Sequence, residues 1–213
     1  ATEGASGVRK SCRAANTEAL ASELEYIGAK VVSVAGDITK STVILDMVSA
    51  AINTFGKIDI LVNNVGGGSA NEIHDKDNPL AEAEAIWDGT YAMSLRAPVL
   101  MCEAVLPHFI ERKSGKIINM SSLAGRPGMP HVDLVPLSAS YHSAKAGLIR
   151  YTQLLADQVG RYNINVNAIC PGIIYTDGWR EISEAMVTNH PQFKGEDPRE
   201  WFKGVGEGRY AGE

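Results

Sequence analysis

The feature that most constrains this chain is a repeated unit, in which an amphipathic helix is followed at once by a short run of β-branched residues. In the clearest unit, residues 42–55 carry two neighbouring rows of apolar side chains at helical spacing: Val43, Met47, Ala51 and Phe55, then Ile44, Val48 and Ile52. Gly56 ends this helix, and the run 58–62 that follows is typical of a strand covered on both faces. The segment therefore predicts a helix that leads directly into a buried strand.

The same unit recurs three times, as helix and strand patterns over 17–27 and 31–35, 98–112 and 116–120, and 143–162 and 164–169. Each of the four strands follows a helix. Strands that are connected in this way lie parallel to one another, through right-handed crossovers. The predicted fold is a doubly wound α/β sandwich, with one domain over residues 1–213. From Tyr175 to Glu213 the periodicity ends, and this stretch (175–213) is predicted to be a mobile flap or a tail whose partner is absent.

The composition excludes several classes of function. With 213 residues, of which 45% are hydrophobic and 21% charged, the chain fits one globular domain. Its formal charge of −5 and lack of a basic run argue against nucleic acid as a partner, and its apolar stretches are shorter than the roughly 20 residues of a membrane span. The cysteines Cys12, Cys102 and Cys170 lie far apart without partners at metal spacing, so no disulfide framework and no metal site are predicted, and a cytoplasmic location suits them.

A ligand site is expected where the strands end, because ligands bind beyond the carboxyl ends of the strands in doubly wound sheets. The residues at these ends are small, polar or turn-forming: Gly36-Asp37, Asn63-Asn64-Val65-Gly66, Ser121-Ser122 and Cys170-Pro171-Gly172. These four segments are the predicted edge of the site.

Tyr141 and Lys145 are four residues apart on a predicted helix, which places their Cβ atoms about 5–6 Å apart on one face. A phenol with a pKa of about 10 must lose about 3 units, or about 4 kcal/mol, to act as a base near neutral pH. One ammonium about 4 Å away supplies about 4 kcal/mol at an effective dielectric constant of about 20. The pair is therefore a candidate acid/base centre, and the alternative is an exposed tyrosine and lysine without a function.

Four motifs occur in one order: Asn63-Asn64-Val65-Gly66, Asn119-Met120-Ser121-Ser122, Tyr141-His142-Ser143-Ala144-Lys145 and Asn167-Ala168-Ile169-Cys170-Pro171-Gly172. Together they resemble the classical short-chain dehydrogenase/reductase family, over about Arg9 to Thr176. The resemblance implies a Rossmann-like fold and an NAD(P)-dependent oxidoreductase that interconverts a secondary alcohol and a ketone by hydride transfer.

The resemblance also implies roles for four side chains. Tyr141 is similar to the family's general acid/base, and Ser122 to the residue that holds the reacting oxygen, with Ser121 facing the sheet. Lys145 resembles the residue that lowers the pKa of that tyrosine and binds the nicotinamide ribose. Ser94 stands where the family commonly has an asparagine that holds a water in the proton relay, so a water on Ser94 is expected.

Further residues resemble the family's cofactor site. Asp37 and Ile38 match the residues that contact the adenine ring. The turn with Asn64, Val65 and Gly66 matches the segment along the adenosine side. The last loop matches the segment that contacts the nicotinamide, through Pro171, Gly172 and Thr176. Residues 1–8 resemble the glycine-rich turn on the pyrophosphate, through Gly4, Ser6 and Gly7. Arg9, with Lys10, is placed to pair with the 2′-phosphate of NADP, which favours NADP over NAD, unless both are solvated loop residues.

The chain departs from the family pattern at both ends. The family's first strand and first crossover helix have no counterpart around residues 1–9, and Arg9 to Ser11 resemble the end of the family's second strand. The helix and strand that close the family's sheet do not follow Glu213. We therefore expect that segments of a longer chain are omitted. The stretch between Ser122 and Tyr141 is longer than in the family and is predicted to bulge over the substrate.

Three functions and an assembly stay open at this point. The chain is either an enzyme for a small alcohol or carbonyl substrate, or a catalytically impaired nucleotide-binding or scaffold protein on the same fold. A third possibility is a non-redox isomerisation or dehydration. The resemblance further implies a homotetramer or homodimer, formed through the helix 98–112 and the helix with Tyr141. On the latter helix, a second apolar stripe or burial in the core would each explain four residues: Leu148, Tyr151, Thr152 and Leu155.

Overall fold

The structure is a computed structural model that describes residues 7–11, 21–67, 79–127, 139–207 and 209. Its strands are β1 (Gly7–Ser11), β2 (Val31–Ala35), β3 (Ile60–Asn63), β4 (Gly115–Met120) and β5 (Ile164–Ile169). Its helices are α1 (described over 21–26), α2 (Ser41–Phe55), α3 (Pro79–Tyr91), α4 (Ala97–Arg112), α5 (Ala139–Val159), α6 (Asp177–Asn189) and α7 (Pro198–Gly206). A π-helix (Ala92–Arg96) joins α3 to α4, and 3₁₀ turns follow β4 (Leu123–Gly125) and α5 (Gly160–Tyr162).

The strands pair in parallel, as predicted. β1 pairs with β2, with Arg9 opposite Ser33, and β4 lies between β3 and β5, with Asn119 opposite both Asn63 and Ala168. All four predicted strands are present. β3 begins at Ile60 rather than Ile58, because the Ile58 N–H donates to the His108 side chain instead of joining the ladder.

The N-terminal turn prediction is wrong for Gly7. The resemblance put Gly7 and Val8 in a glycine-rich turn, whereas both lie in strand β1 with Arg9. Parallel pairing with β2 gives the backbone of this segment hydrogen-bond partners that an open turn lacks. The expectation that Arg9 to Ser11 end a strand is confirmed. Gly4 and Ser6 lie outside the described residues.

The main core lies between β3–β4–β5 and the helices α2, α4 and α5. Its fully or nearly buried members include Ile44, Val105, Phe109, Ile117 and Leu155. Gly115 begins β4 directly beneath Phe109, where an added Cβ would overlap the ring, so a side chain at this position cannot be accommodated. Three residues of the same strands point away from this core and are about half exposed: Ile60, Val62 and Ile169.

The helical segment 83–112 is long enough and, over an 18-residue window with a mean hydropathy of 1.2, apolar enough to cross a membrane. The core helix of an ordinary globular protein passes the same test, since it too is apolar on the side that faces the core. In this structure Met101, Cys102, Val105 and Phe109 of that helix are buried in the main core. Packing against the sheet therefore accounts for its apolar character.

Residues 173–206 form a second, smaller core with two helices, although the sequence from Tyr175 onward shows no helical periodicity. Thr176 caps α6 by accepting a hydrogen bond from the Trp179 N–H, and Asp197 caps α7 in the same way. The two helices bury a cluster of four residues: Val187, Phe193, Trp201 and Val205. The fully buried Trp201 thus packs the segment rather than lining a substrate site, while Trp179 is half-buried against Phe202.

Candidate active site

The carboxyl ends of β4 and β5 are joined to each other by their following loops. The Ser121 N–H donates to the Ile169 carbonyl at 2.7 Å, and the Leu123 N–H donates to the Pro171 carbonyl at 2.9 Å. Since these strands are parallel, both loops leave the same edge of the sheet, together with the loop 64–67 after β3. The structure therefore brings together the segments that the sequence placed at the ligand edge.

A chain of buried hydrogen bonds supports this edge from below. Asn63 Nδ2 donates to Asn119 Oδ1 at 2.9 Å, Asn119 Nδ2 donates to Thr152 Oγ1 at 2.9 Å, and Thr152 Oγ1 donates to the Leu148 carbonyl at 2.7 Å. All of these side chains are buried, where an unpaired polar group is costly. The chain of bonds therefore holds β3, β4 and α5 in fixed relative positions. Sequence reasoning did not foresee the bond between Asn119 and Thr152; the signal was an asparagine near the end of each of two neighbouring apolar strands.

The two serines after β4 point in different directions. The Ser121 hydroxyl is buried and donates to the Lys145 carbonyl of α5 at 2.8 Å, so it faces α5 rather than the sheet. The half-buried Ser122 accepts from the Ala124 N–H at 3.1 Å and is hydrogen-bonded to Tyr141. The structure thus brings Ser122, and not Ser121, to the phenol, as predicted.

Gly125 allows the loop after β4 to lie directly on the backbone of α5. A Cβ at Gly125 would lie 2.6 Å from the carbonyl carbon of Lys145 and 2.8 Å from the Ala146 nitrogen. A side chain at Gly125 would therefore push the loop with Ser122 away from α5. The sequence offered no signal for this contact, because the two segments are far apart along the chain.

Lys145 is 3% exposed, and its Nζ lies 5.6 Å from the centre of the Tyr141 ring. Nζ donates to the Met120 carbonyl at 2.8 Å, at the end of β4. Burial lowers the pKa of Lys145 to about 8, although the nearby Cys170 raises it slightly. An ammonium with this pKa is about nine-tenths protonated at pH 7, so Lys145 carries a buried positive charge.

Tyr141 does not have the lowered pKa that the sequence analysis expected. Burial raises the pKa of Tyr141 above its usual value of 10.0, and the hydrogen bond with Ser122 lowers it by less. The expectation that Lys145 alone brings this pKa down is therefore wrong for this structure. The reason is geometric, since the ammonium is directed at the Met120 carbonyl while the phenol loses its hydration.

Ser94 lies in the π-helix and is fully buried. Its hydroxyl donates to the Gly67 carbonyl at 2.8 Å and accepts from the Gly67 N–H at 3.1 Å. A hydroxyl has one hydrogen and two lone pairs, so a water can bind Ser94 only by donating to it. The water expected on Ser94 remains a prediction.

The predicted adenosine contacts occupy two loops. Asp37 Oδ1 accepts from the N–H and the hydroxyl of Thr39, at 2.9 and 2.8 Å, which shapes the turn into α2. Ile38 is 4% exposed and belongs to the main core, so the prediction of a cofactor contact is wrong for its side chain. After β3, Asn64 and Gly66 are exposed, whereas Val65 packs partly on the core.

The predicted nicotinamide loop follows β5. The Gly172 Cα faces Leu123, whose Cδ1 would lie 3.3 Å from an added Cβ, while Pro171 is half-buried and Thr176 is exposed at the start of α6. Within the described ranges, no group of three or more His, Cys, Asp or Glu side chains is arranged to hold a metal ion.

Comparison with known proteins agrees with this arrangement. A family model described as short chain dehydrogenase matches residues 1–187. The chain is 35% identical over 184 residues to the (2S)-[(R)-hydroxy(phenyl)methyl]succinyl-CoA dehydrogenase subunit BbsD of Thauera aromatica, a match that covers 86% of this chain and 69% of that protein. The chain spans 64% of the length of a similar 3-oxoacyl-[acyl-carrier-protein] reductase from Chlamydia muridarum. It spans 59% of the length of a similar 2-dehydro-3-deoxy-D-gluconate 5-dehydrogenase from Escherichia coli.

Two solved structures show the same fold. L-sorbose reductase from Gluconobacter frateurii, complexed with NADPH and L-sorbose, superposes with a TM-score of 0.79 at 26% identity, over 96% of this chain and 72% of that one. NAD+-bound xylitol dehydrogenase superposes with a TM-score of 0.75 at 25% identity, over 93% of this chain and 72% of that one. Both share the parallel α/β sheet predicted from the sequence. The chain therefore belongs to the short-chain dehydrogenase family of NAD(P)-dependent oxidoreductases.

Proposed function

We propose that the protein interconverts a secondary alcohol and a ketone on a small molecule, with Tyr141, Ser122 and Lys145 as its reacting set. One observation carries the proposal: the Tyr141 phenol is hydrogen-bonded to Ser122 beside the buried ammonium of Lys145, at the carboxyl edge of the sheet. These groups together hold and protonate a carbonyl oxygen, which is what reduction of a ketone requires.

The chemistry of the three side chains follows from their hydrogen bonds. In reduction, Ser122 holds the carbonyl oxygen and the Tyr141 hydroxyl donates a proton to it; in oxidation both steps run in reverse. The positive charge of Lys145 stabilises the phenolate that remains on Tyr141 after the proton has left. A bound nicotinamide dinucleotide supplies or accepts the hydride.

The residues present fit such a cofactor. Lys145 uses one of its three N–H donors on the Met120 carbonyl, which leaves two for ribose hydroxyls. A Cβ on Gly66 would lie 2.7 Å from Nζ of Lys145, so a side chain there would displace the end of the lysine, whereas Gly67 faces open space. A backbone without side chains beside a buried cation suits the close approach of a nucleotide. For the choice between NADP and NAD we propose NADP, because Arg9 and Lys10 supply cations for a 2′-phosphate at the sheet position where the family selects its cofactor.

The direction of the Tyr141 pKa shift predicts the pH dependence of the two directions of reaction. A phenol whose pKa is raised keeps its proton at neutral pH, so ketone reduction is expected to proceed there. Alcohol oxidation needs the phenolate and is expected to accelerate as the pH rises toward the pKa of Tyr141. A steady-state pH profile in each direction tests this. An oxidation rate that falls between pH 7 and 9 would contradict it.

The proposal is tested by replacing Tyr141 with phenylalanine, which removes only the hydroxyl. We expect turnover of nicotinamide cofactor against a panel of ketones and secondary alcohols to fall about 10³-fold, within the range for loss of a general acid. Tyr91→Phe is the matched control, because Tyr91 is also a half-buried helical tyrosine, and its ring lies 5.6 Å from that of Trp87. Turnover that survives Tyr141→Phe, or nucleotide binding without any wild-type turnover, refutes the proposal. Product analysis separates redox chemistry from isomerisation or dehydration.

We also propose that the protein self-associates through α4 and α5 and works in the cytoplasm. Of the residues first considered for an outer stripe, Leu148, Thr152 and Leu155 are buried in or beside the main core, and only Tyr151 is partly exposed. Leu154 is 44% exposed, and the Tyr151 hydroxyl bonds Glu103 of α4 at 3.2 Å. Light scattering tests the association. A monomeric mass at micromolar concentration contradicts it.

A further inference from the structure

Two large apolar side chains are exposed on the loops that carry the candidate site. Leu123, directly after Ser122, is 38% exposed, and Ile174, in the loop after β5, is 57% exposed. Leucine and isoleucine side chains gain free energy when they are removed from water. Apolar surface beside a few convergent polar groups is typical of a ligand site, where the ligand supplies the cover that the protein lacks.

The exposure of Leu123 does not come from a loosely held loop. Its N–H donates to the Pro171 carbonyl at 2.9 Å, and its carbonyl accepts from the Arg126 N–H at 2.9 Å. Its side chain faces Gly172, since Cδ1 of Leu123 would lie 3.3 Å from a Cβ added to that glycine. Leu123 is therefore held at the junction of the loop after β4 with the loop after β5, and its side chain remains exposed there.

This junction is next to the groups that hold the reacting oxygen in the proposed function. Ser122 Oγ accepts from the Ala124 N–H at 3.1 Å, so the turn that begins at Leu123 also fixes the Ser122 side chain. Ser122 is in turn hydrogen-bonded to Tyr141. Because consecutive Cα atoms are about 3.8 Å apart, a substrate oxygen bound by Ser122 brings the first atoms of a substituent close to Leu123.

Ile174 is left exposed while both of its neighbours pack on the helices α6 and α7. Ile173 packs against the second core, and the Tyr175 ring lies 4.8 Å from the ring of Phe202. Ile174 therefore adds a second aliphatic side chain to the loop whose backbone is hydrogen-bonded to Leu123.

Neither loop contains a charged residue, over 121–125 after β4 and over 170–175 after β5. The next charges along the chain are Arg126 and Asp177, which are both exposed. A carboxylate or phosphate that is pressed against these loops loses its hydration, and neither loop supplies a cation in exchange. An alkyl or aryl group does not have this cost, and it removes Leu123 and Ile174 from water.

We propose that Leu123 is a specificity-determining residue, which together with Ile174 binds an uncharged alkyl or aryl group next to the reacting carbon. The substrate class is then an apolar ketone and its secondary alcohol. The inference rests on the proposed function, because it concerns the substrate of the same reacting set. It adds to that function the kind of substituent that the site accepts.

The first test measures kcat/KM of the wild type, with NADPH and with NADH, for methyl ketones from 2-butanone to 2-octanone. We expect kcat/KM to rise about fourfold for each added CH₂ that reaches the loops, the equivalent of about 0.8 kcal/mol. The second comparison is 5-methyl-2-hexanone with 4-oxopentanoate, which has the same shape but a carboxylate in place of the isopropyl group. We expect the uncharged ketone to be preferred about 100-fold.

Three variants then test the assignment to Leu123. We expect Leu123→Ala to lower kcat/KM for 2-octanone about tenfold and for 2-butanone less than about threefold, because only the longer chain reaches the removed atoms. Leu123→Arg adds a cation at the same place and should reduce the preference for 5-methyl-2-hexanone over 4-oxopentanoate about tenfold. Leu45→Ala is the matched control, since Leu45 is an exposed leucine on α2, and it should leave every value within about twofold of the wild type.

A binding measurement separates this inference from the proposed function. The probe is 2-methyl-2-octanol, a tertiary alcohol that has no hydrogen to transfer, and its Kd is measured by calorimetry in the presence of NADP+. We expect Leu123→Ala to weaken this binding about tenfold, whereas circular dichroism stays unchanged. Turnover without a preference for longer or uncharged ketones, or an equal loss of all substrates in Leu123→Ala, overturns the inference and leaves the proposed function intact. Absence of turnover refutes the proposed function, and tertiary alcohol binding that is absent or independent of Leu123 overturns the inference.

Discussion

Replacing Gly125 with alanine tests the contact that places the loop after β4 on α5. The added Cβ would lie 2.6 Å from the carbonyl carbon of Lys145, whereas an ordinary contact begins at 3.4 Å, so the loop must retreat by about 0.8 Å. The hydrogen bond from Ser121 Oγ to the Lys145 carbonyl, now 2.8 Å, would then exceed hydrogen-bonding distance. Overpacking costs about 1–3 kcal/mol and the lost bond about 1 kcal/mol, so we expect unfolding free energy to fall by about 2–4 kcal/mol.

Urea denaturation followed by circular dichroism measures this loss, and the same variant should lose turnover because Ser122 moves with the loop. Gly89→Ala is the matched control, for which we expect stability to change in the opposite direction. Gly89 lies within α3 with no heavy atom within 4 Å of its added Cβ, so alanine should stabilise the helix by about 0.5–1 kcal/mol. A Gly125→Ala protein within 0.5 kcal/mol of the wild type would refute the claim that this glycine is required by the close approach.

Three further outcomes follow from the buried groups. Asn119→Leu removes one buried hydrogen bond from the Asn63 amide and one from the Thr152 hydroxyl, so stability in urea should fall by about 2–4 kcal/mol, whereas Asn165→Leu on the exposed side of β5 should change it by less than 1 kcal/mol. Lys145→Met should abolish turnover yet raise stability at pH 7 by about 1–3 kcal/mol, because the folded protein holds this proton less tightly than the unfolded chain. In the wild type, the loss of stability from the buried ammonium should disappear as the pH rises from about 8, the pKa of Lys145 in the folded protein, through 10.5, its ordinary pKa. The free energy of unfolding should therefore increase with pH across this window. The same increase in Lys145→Met would show that Lys145 is not its source.

The local periodicity of the sequence was sufficient for the elements that carry one clean pattern. The rows of apolar residues in 42–55 predicted α2, and the β-branched runs predicted β2 to β5 to within two residues. Periodicity failed where helices are short and stabilised by caps and aromatic packing, as in α6 and α7. There the capping side chains Thr176 and Asp197 start helices whose buried face is completed only by Phe193 and Trp201.

The site shows the same division. The resemblance selected Tyr141, Ser122 and Lys145, and the structure brings these three side chains together. It was misleading for Gly7, which pairs in a strand, and for the Ile38 side chain, which is buried in the core. A motif states which residue types are present. It does not state which way a side chain points once its neighbours have packed.

The sequence by itself determined the types and order of the elements, and the edge of the sheet where polar residues gather, because these depend on spacing along a single segment. Only the tertiary structure decided that Nζ of Lys145 turns to the Met120 carbonyl, 25 residues away, and that Ser94 bonds Gly67, 27 residues away. The same holds for the contact of Gly125 with the backbone of α5. These contacts depend on distances between segments that are remote in the chain, and packing alone sets such distances.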